Sequence, residues 1–104
     1  MPSDRSYLAY ILDQLSDLSE VTYRPMMGEY LLYYNGTVIG GIYDDRFLVK
    51  PTPSAQKLMP NAPRELPYPG AKEMLLVEET DDRAFLAVLL NAVYAELPHP
   101  KKRK

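Results

Sequence analysis

Two stretches of the chain repeat apolar residues at intervals of three and four, and the region between them does not. Tyr7, Leu8, Ile11, Leu12, Leu15 and Leu18 fall on one stripe of a helix over residues 4–18, with Ser3 or Asp4 placed to cap its start. Phe85, Leu86, Leu89, Leu90, Val93, Tyr94 and Leu97 repeat the spacing in a second helix, opened by the capping candidates Thr80, Asp81 and Asp82. Pro98 and Pro100 stop it, because proline has no N–H to extend the ladder. Between the helices, residues 21–27, 29–34, 37–43 and 46–50 are strand-length runs of Tyr, Val, Ile, Leu and Phe. Asn35-Gly36 fits a two-residue turn with positive φ at both positions, Asp44-Asp45 a second tight turn, and Gly28 a corner. A fifth strand, EMLLVE at 73–78, precedes the last helix. The pattern predicts an α+β fold in a single domain over 1–104: an antiparallel five-stranded sheet, largely a meander, flanked by an N-terminal and a C-terminal helix.

Two segments interrupt this pattern. Gly40-Gly41, inside the third strand, marks a bulge or a place where a helix comes close to the sheet. Residues 51–72 hold six of the ten prolines and form a long Pro-rich connection before the last strand. Its centre, SAQKLM, predicts a helical turn or two capped by Ser54. The remainder reads as an ordered arm, either a binding feature or a cover for one sheet edge.

The second strand is apolar on both sides. Tyr30, Leu32 and Tyr34 share one face, Leu31 and Tyr33 the other. One face packs on the helices, and the other needs the arm, a partner, or exposure as an aromatic surface. Nine tyrosines and no tryptophan suit such a surface, since a tyrosine ring buries area while its hydroxyl keeps a hydrogen bond. Tyr30 and Tyr34 are the candidate interface pair.

Composition narrows the chemistry. Without cysteine there is no disulfide, thiolate nucleophile or Cys-based zinc site. The one histidine, His99, lies between two prolines near the end, and the carboxylate pairs Asp44-Asp45, Glu78-Glu79 and Asp81-Asp82 fall where turns and a helix start belong. No catalytic residue, metal or cofactor is therefore expected. Gly28 stands alone before strand residues, which is not how a phosphate loop is built. Twelve basic side chains face fourteen acidic ones, but four of the twelve are the final KKRK. Residues 1–100 thus carry eight against fourteen, an acidic body. Nucleic acid could bind only through the basic tail at 98–104. The apolar run FLAVLLNAVYA is about half the ~20 residues a membrane span needs, and the start of the chain lacks the pattern of a secretory signal. No membrane partner is expected, and a cytoplasmic location is the default. Arg24, Arg46 and Lys50 lie on or beside neighbouring strands, and Lys72 follows a YPG turn. If Arg24, Lys50 and Lys72 converge near Tyr68, they make an anion or carboxylate recognition spot; salt bridges to the surplus acids are the alternative.

The succession Arg24, Met26-Met27-Gly28, a strand, Asn35-Gly36, a strand through Gly40-Gly41-Ile42-Tyr43, then Arg46-Phe47-Leu48-Val49-Lys50 resembles the N-terminal domain of TfoX/Sxy proteins, regulators linked to competence for DNA uptake. YPGAKEMLLVE and the closing helix extend the likeness over about residues 4–97. The resemblance implies an antiparallel sheet flanked by helices, no catalytic residues, and self-association. Long members add a helical C-terminal domain to which the competence role belongs, so this chain reads as a stand-alone version of the first domain. The expected function is a non-catalytic interaction or regulatory module that binds a protein partner or itself as a homodimer. The alternatives are a sensor for an anionic metabolite with a pocket under the 51–72 arm, and weak nucleic-acid binding through the tail.

Overall fold

A computed structural model describes residues 4–97; Ser3, His99, the prolines at 98 and 100 and the KKRK tail lie outside the described residues. The order of elements is α1 (Arg5–Gln14), β1 (Val21–Met26), β2 (Glu29–Tyr34), β3 (Thr37–Tyr43), β4 (Arg46–Val49), α2 (Pro53–Leu58), β5 (Arg64–Glu65), β6 (Met74–Leu76) and α3 (Arg83–Glu96). The expected α+β architecture is present, but the sheet has six strands, not five, in the order β1-β2-β3-β4-β6-β5. The additional strand, β5, forms inside the Pro-rich connection. At two residues it is too short to show a period, and it exists because Arg64 and Glu65 pair with Leu75 and Met74.

Strands β1 to β4 form a meander because three two-residue turns reverse the chain. Met27-Gly28, Asn35-Gly36 and Asp44-Asp45 all have positive φ at both positions, from 52° to 84°. That is the turn whose twist matches paired strands, so the corner expected at Gly28 is a hairpin turn in which Met27 takes the unfavourable left-handed conformation. The chain then leaves β4, forms α2, and returns to the far edge as β5. The β5–β6 hairpin inserts β6 beside β4, and its long loop crosses the sheet.

Asp4 caps α1 by accepting the Ser6 N–H at 3.1 Å, and the helix ends at Gln14, short of the expected 18. Leu15 and Leu18 still point inward from the turns that follow. Asp82 caps α3 through the Phe85 N–H. Thr52, not Ser54, caps α2: its hydroxyl accepts from Ala55, Pro53 occupies the first turn, and Ser54 is held by Glu96 instead.

All three helices share one sheet face. Leu8, Ile11 and Leu15 of the first helical segment and Leu86, Leu89, Leu90 and Val93 of α3 pack with Leu32, Phe47, Val49 and Leu75 in one core. Gly40 is required by the sheet rather than by a helix. A Cβ there would lie 2.1 Å from the Leu48 carbonyl oxygen and 2.8 Å from the Val49 Cα, so it is β4 that comes close. The bulge is real and sits next to Gly40: the β2–β3 register steps from Leu32–Gly40 to Tyr33–Val38, leaving Ile39 extra. No helix among the described residues is long and apolar enough to cross a membrane.

Candidate functional site

The sheet face away from the helices carries Thr22 and Arg24 of β1, Leu31 and Tyr33 of β2, Val38 and Tyr43 of β3, and Leu48 of β4, as alternation and register require. Among the described residues this outer face is covered in one half only. Over β3, β4 and β6 lies the loop of the β5–β6 hairpin, residues 66–73, and beneath it Leu48 is fully buried. The Tyr68 ring rests on Tyr43 with centroids 6.2 Å apart. Burial, followed by the neighbouring Tyr68 and Glu29, raises the Tyr43 hydroxyl above its ordinary pKa, so it remains a neutral phenol.

Arg46 secures this loop. Its guanidinium forms an ion pair with Glu65, donates to the Leu66 carbonyl at 3.2 Å, and donates through Nε to the Tyr43 carbonyl at 3.1 Å. Both partners of the ion pair are about two-thirds buried, with side chains 26% and 32% exposed. Of the predicted cations, Arg46 therefore takes the salt-bridge alternative and is engaged in holding the arm.

Between the loop and the sheet is a cleft of about 690 Å³. Leu31, Val38 and Met74 of the sheet form its floor, Pro67 and Tyr68 of the loop its outer wall, and Leu97 at the end of α3 closes one side. Lys50, Lys72 and Glu73 line it as well. The structure thus brings three of the sequence-predicted residues, Lys50, Tyr68 and Lys72, to one cavity under the Pro-rich arm. Arg24 is not among its lining. It pairs across the strands with Leu31, one strand further out on the same face, and its guanidinium stands 6.0 Å over the Tyr33 ring.

Tyr30 and Tyr34, the predicted interface pair, lie on the helix side. Tyr34 is 7% exposed, belongs to the core, and donates its hydroxyl to Asn91 of α3 at 2.8 Å; Tyr30 is half-buried against the core with Tyr23 edge-on to it. The aromatic residue left on the open half of the outer face is Tyr33, beside Arg24. Met27, 97% exposed, stands at the tip of the β1–β2 hairpin, more than four rows of the ladder away from the Thr22–Tyr33 pair. No group of three His, Asp or Glu side chains that would hold a metal occurs among the described residues.

The profile of the TfoX N-terminal domain matches residues 13–95. The chain belongs to the TfoX N-terminal domain family. It is also 37% identical, over 105 residues, to a protein of Spirochaeta aurantia described as "Uncharacterized 12.7 kDa protein in trpE 5'region"; the match covers 100% of this chain and 91% of the relative. No solved structure matches the chain significantly. The family match therefore spans the whole sheet, α2 and nearly all of α3, but only the end of α1, and the relative's description assigns no activity.

Proposed function

We propose that this chain is a non-catalytic regulatory module of the cytoplasm that acts by protein contact, and that its contact surface is the open half of the outer sheet face around Arg24 and Tyr33. The observation that carries the reading is the asymmetry of that face. One half is covered by an arm held by Arg46, while the other presents a half-buried tyrosine beneath an arginine, with no element of the described residues over them, and a fully exposed methionine at the hairpin tip. Aromatic and arginine side chains are the residue types that dominate protein contacts. Membership of a regulatory family supports the same conclusion.

The edges of the sheet are poorer candidates. The Asn35 N–H bonds to the Glu20 carbonyl, and by alternation the Pro25–Tyr30 pair is not hydrogen-bonded, so the Pro25 nitrogen faces the free edge. An incoming strand would lose a donor there, a known way of blunting an edge. The other edge, β5, is two residues long. A homodimer, if formed, joins through the outer face.

The test is affinity capture from native lysate with the wild-type chain, Arg24→Glu and Tyr33→Asp, with Arg5→Glu on the exposed side of α1 as control. Loss of the same captured protein from both outer-face variants but not from the control supports the reading. Capture unaffected by either variant contradicts it. Light scattering across a concentration series decides the self-association form: a wild-type dimer dissociated by Tyr33→Asp is expected, and a strict monomer at high micromolar concentration removes it.

A further inference from the structure

We infer that the cleft beneath the β5–β6 loop is a binding site for a small organic monoanion: a carboxylate on an apolar body. The inference does not rest on the contact reading above. Its first support is charge. The body of the protein is acidic, and several of its cations are engaged: Arg46 with Glu65, Arg83 with Asp17, Arg64 with Gln56, and Arg24 over the Tyr33 ring. Lys50 and Lys72 have no ion pair or side-chain hydrogen bond among the described residues, yet both line the same cavity. Two ammonium groups without a partner that face one cavity, in a protein with acidic groups in surplus, offer an anion a site that the surplus carboxylates do not.

The second support is the shape and chemistry of the wall. A volume of about 690 Å³ lies within the range of sites for small molecules, and the cavity is lined mainly by apolar side chains with few polar groups. Leu31, Val38 and Met74 offer a floor for an aliphatic or aromatic body, and the Tyr68 ring, 51% exposed, is placed to close over it. Glu73 shares the lining, so the local balance of Lys50, Lys72 and Glu73 is a single positive charge. That balance suits a carboxylate better than a phosphate dianion.

The loop supplies the third support. Pro67 and Pro69 limit its freedom, and Arg46 anchors its base, so the outer wall is formed before a ligand arrives. A preformed wall lowers the ordering cost of binding. Gly70, with φ +87° and nothing within 4 Å of a would-be Cβ, lets the loop turn within itself.

The test is a titration of the isotope-labelled chain followed by backbone amide shifts, with four probes. 3-Phenylpropanoate and hexanoate carry both features, 3-phenylpropanamide lacks the charge, and acetate lacks the body. The two complete probes are expected to saturate, with shifts concentrated at Lys50, Tyr68, Lys72 and Met74. Lys50→Ala and Lys72→Ala, neither of which touches the core, are each expected to weaken binding about fivefold, the scale of a partly exposed ion pair. The proposal is overturned if no complete probe saturates at millimolar concentration, if the amide binds as well as its acid, or if the shifts gather elsewhere. All of these are read on the purified chain, so their failure leaves the capture experiment untouched.

Discussion

Replacing Arg46 with alanine should loosen the arm that walls the cleft, and the size of the effect follows from three hydrogen bonds. The guanidinium serves Glu65, the Leu66 carbonyl and the Tyr43 carbonyl, which ties β3, β5 and the start of the loop together. A hydrogen bond to a charged group contributes about 1.5–3 kcal/mol when buried. With roughly a third of each side chain exposed, Glu65 and the carbonyls rehydrate once Arg46 is gone, so about 1 kcal/mol each is the better scale. The expected loss is therefore about 2–3 kcal/mol, which for a domain of this size lowers the melting temperature by about 10 °C or more. Its local signature is more telling. If the arm opens on its own, amide exchange at Leu76 and Ala71, whose N–H groups bond to Pro63 and Tyr68, accelerates by about thirtyfold for 2 kcal/mol, while α3 amides change only by the global destabilisation. Arg46→Lys should restore little, because a single ammonium cannot reach three acceptors. Unfolding by denaturant and amide exchange measure both quantities. A change below about 0.5 kcal/mol with unaltered exchange in the arm would refute the argument and leave the Tyr68–Tyr43 contact and the β4–β6 pairing as the real fastening.

Three further outcomes follow from the same structure. Gly40→Ala drives a methyl group into the Leu48 carbonyl and the Val49 Cα, backbone atoms that cannot yield without parting β3 from β4, so a loss of at least about 3 kcal/mol is expected in denaturant unfolding. Thr37→Val should be neutral or stabilising by up to about 1 kcal/mol, because the Thr37 Oγ1 is buried without a hydrogen-bond partner among the described residues, and calorimetry reads the difference. The Ser54 hydroxyl and then the Ser54 N–H hold the Glu96 carboxyl below its ordinary pKa. Its contribution to stability is then complete above the ordinary carboxylate value and disappears as pH falls through the lowered one. The gap in melting temperature between wild type and Glu96→Gln should accordingly be widest at neutral pH and close on acidification; a gap constant with pH would refute the link.

The periodic elements were legible in the sequence because burial on one side imposes a period. The stripes at Leu8–Ile11–Leu15 and Leu86–Leu89–Val93 could belong only to helices on a core, and the Asn35-Gly36 and Asp44-Asp45 turns require residues that tolerate positive φ. Strand β5 was illegible because two residues carry no period and their pairing depends on a hairpin closed across eight intervening residues, 66–73. Which side of β2 meets the helices was also hidden. Tyr30, Leu32 and Tyr34 are as apolar as Leu31 and Tyr33 taken together, so parity divides the strand without saying which half is inside. A signal was present one strand away: Phe47 and Val49 alternate with the charged Arg46, and register carries that polarity across the sheet to Ile42 and Tyr30. The cleft was legible in part. Lys50, Tyr68 and Lys72 meet because the arm folds back over its own strand, whereas Arg24 stands apart because β1 lies at the far end of a strand order that no local pattern specifies.

The central claim is that contact is made through the open half of the outer face, and hydroxyl-radical footprinting of the chain alone and bound to its captured partner tests it most directly. Met27 and Tyr33 should be oxidised readily in the free chain and protected in the complex, while Tyr10 of α1, exposed on the helix side, reacts equally in both. Protection of Tyr10 with Met27 and Tyr33 left reactive would contradict the account and place the contact on the helices.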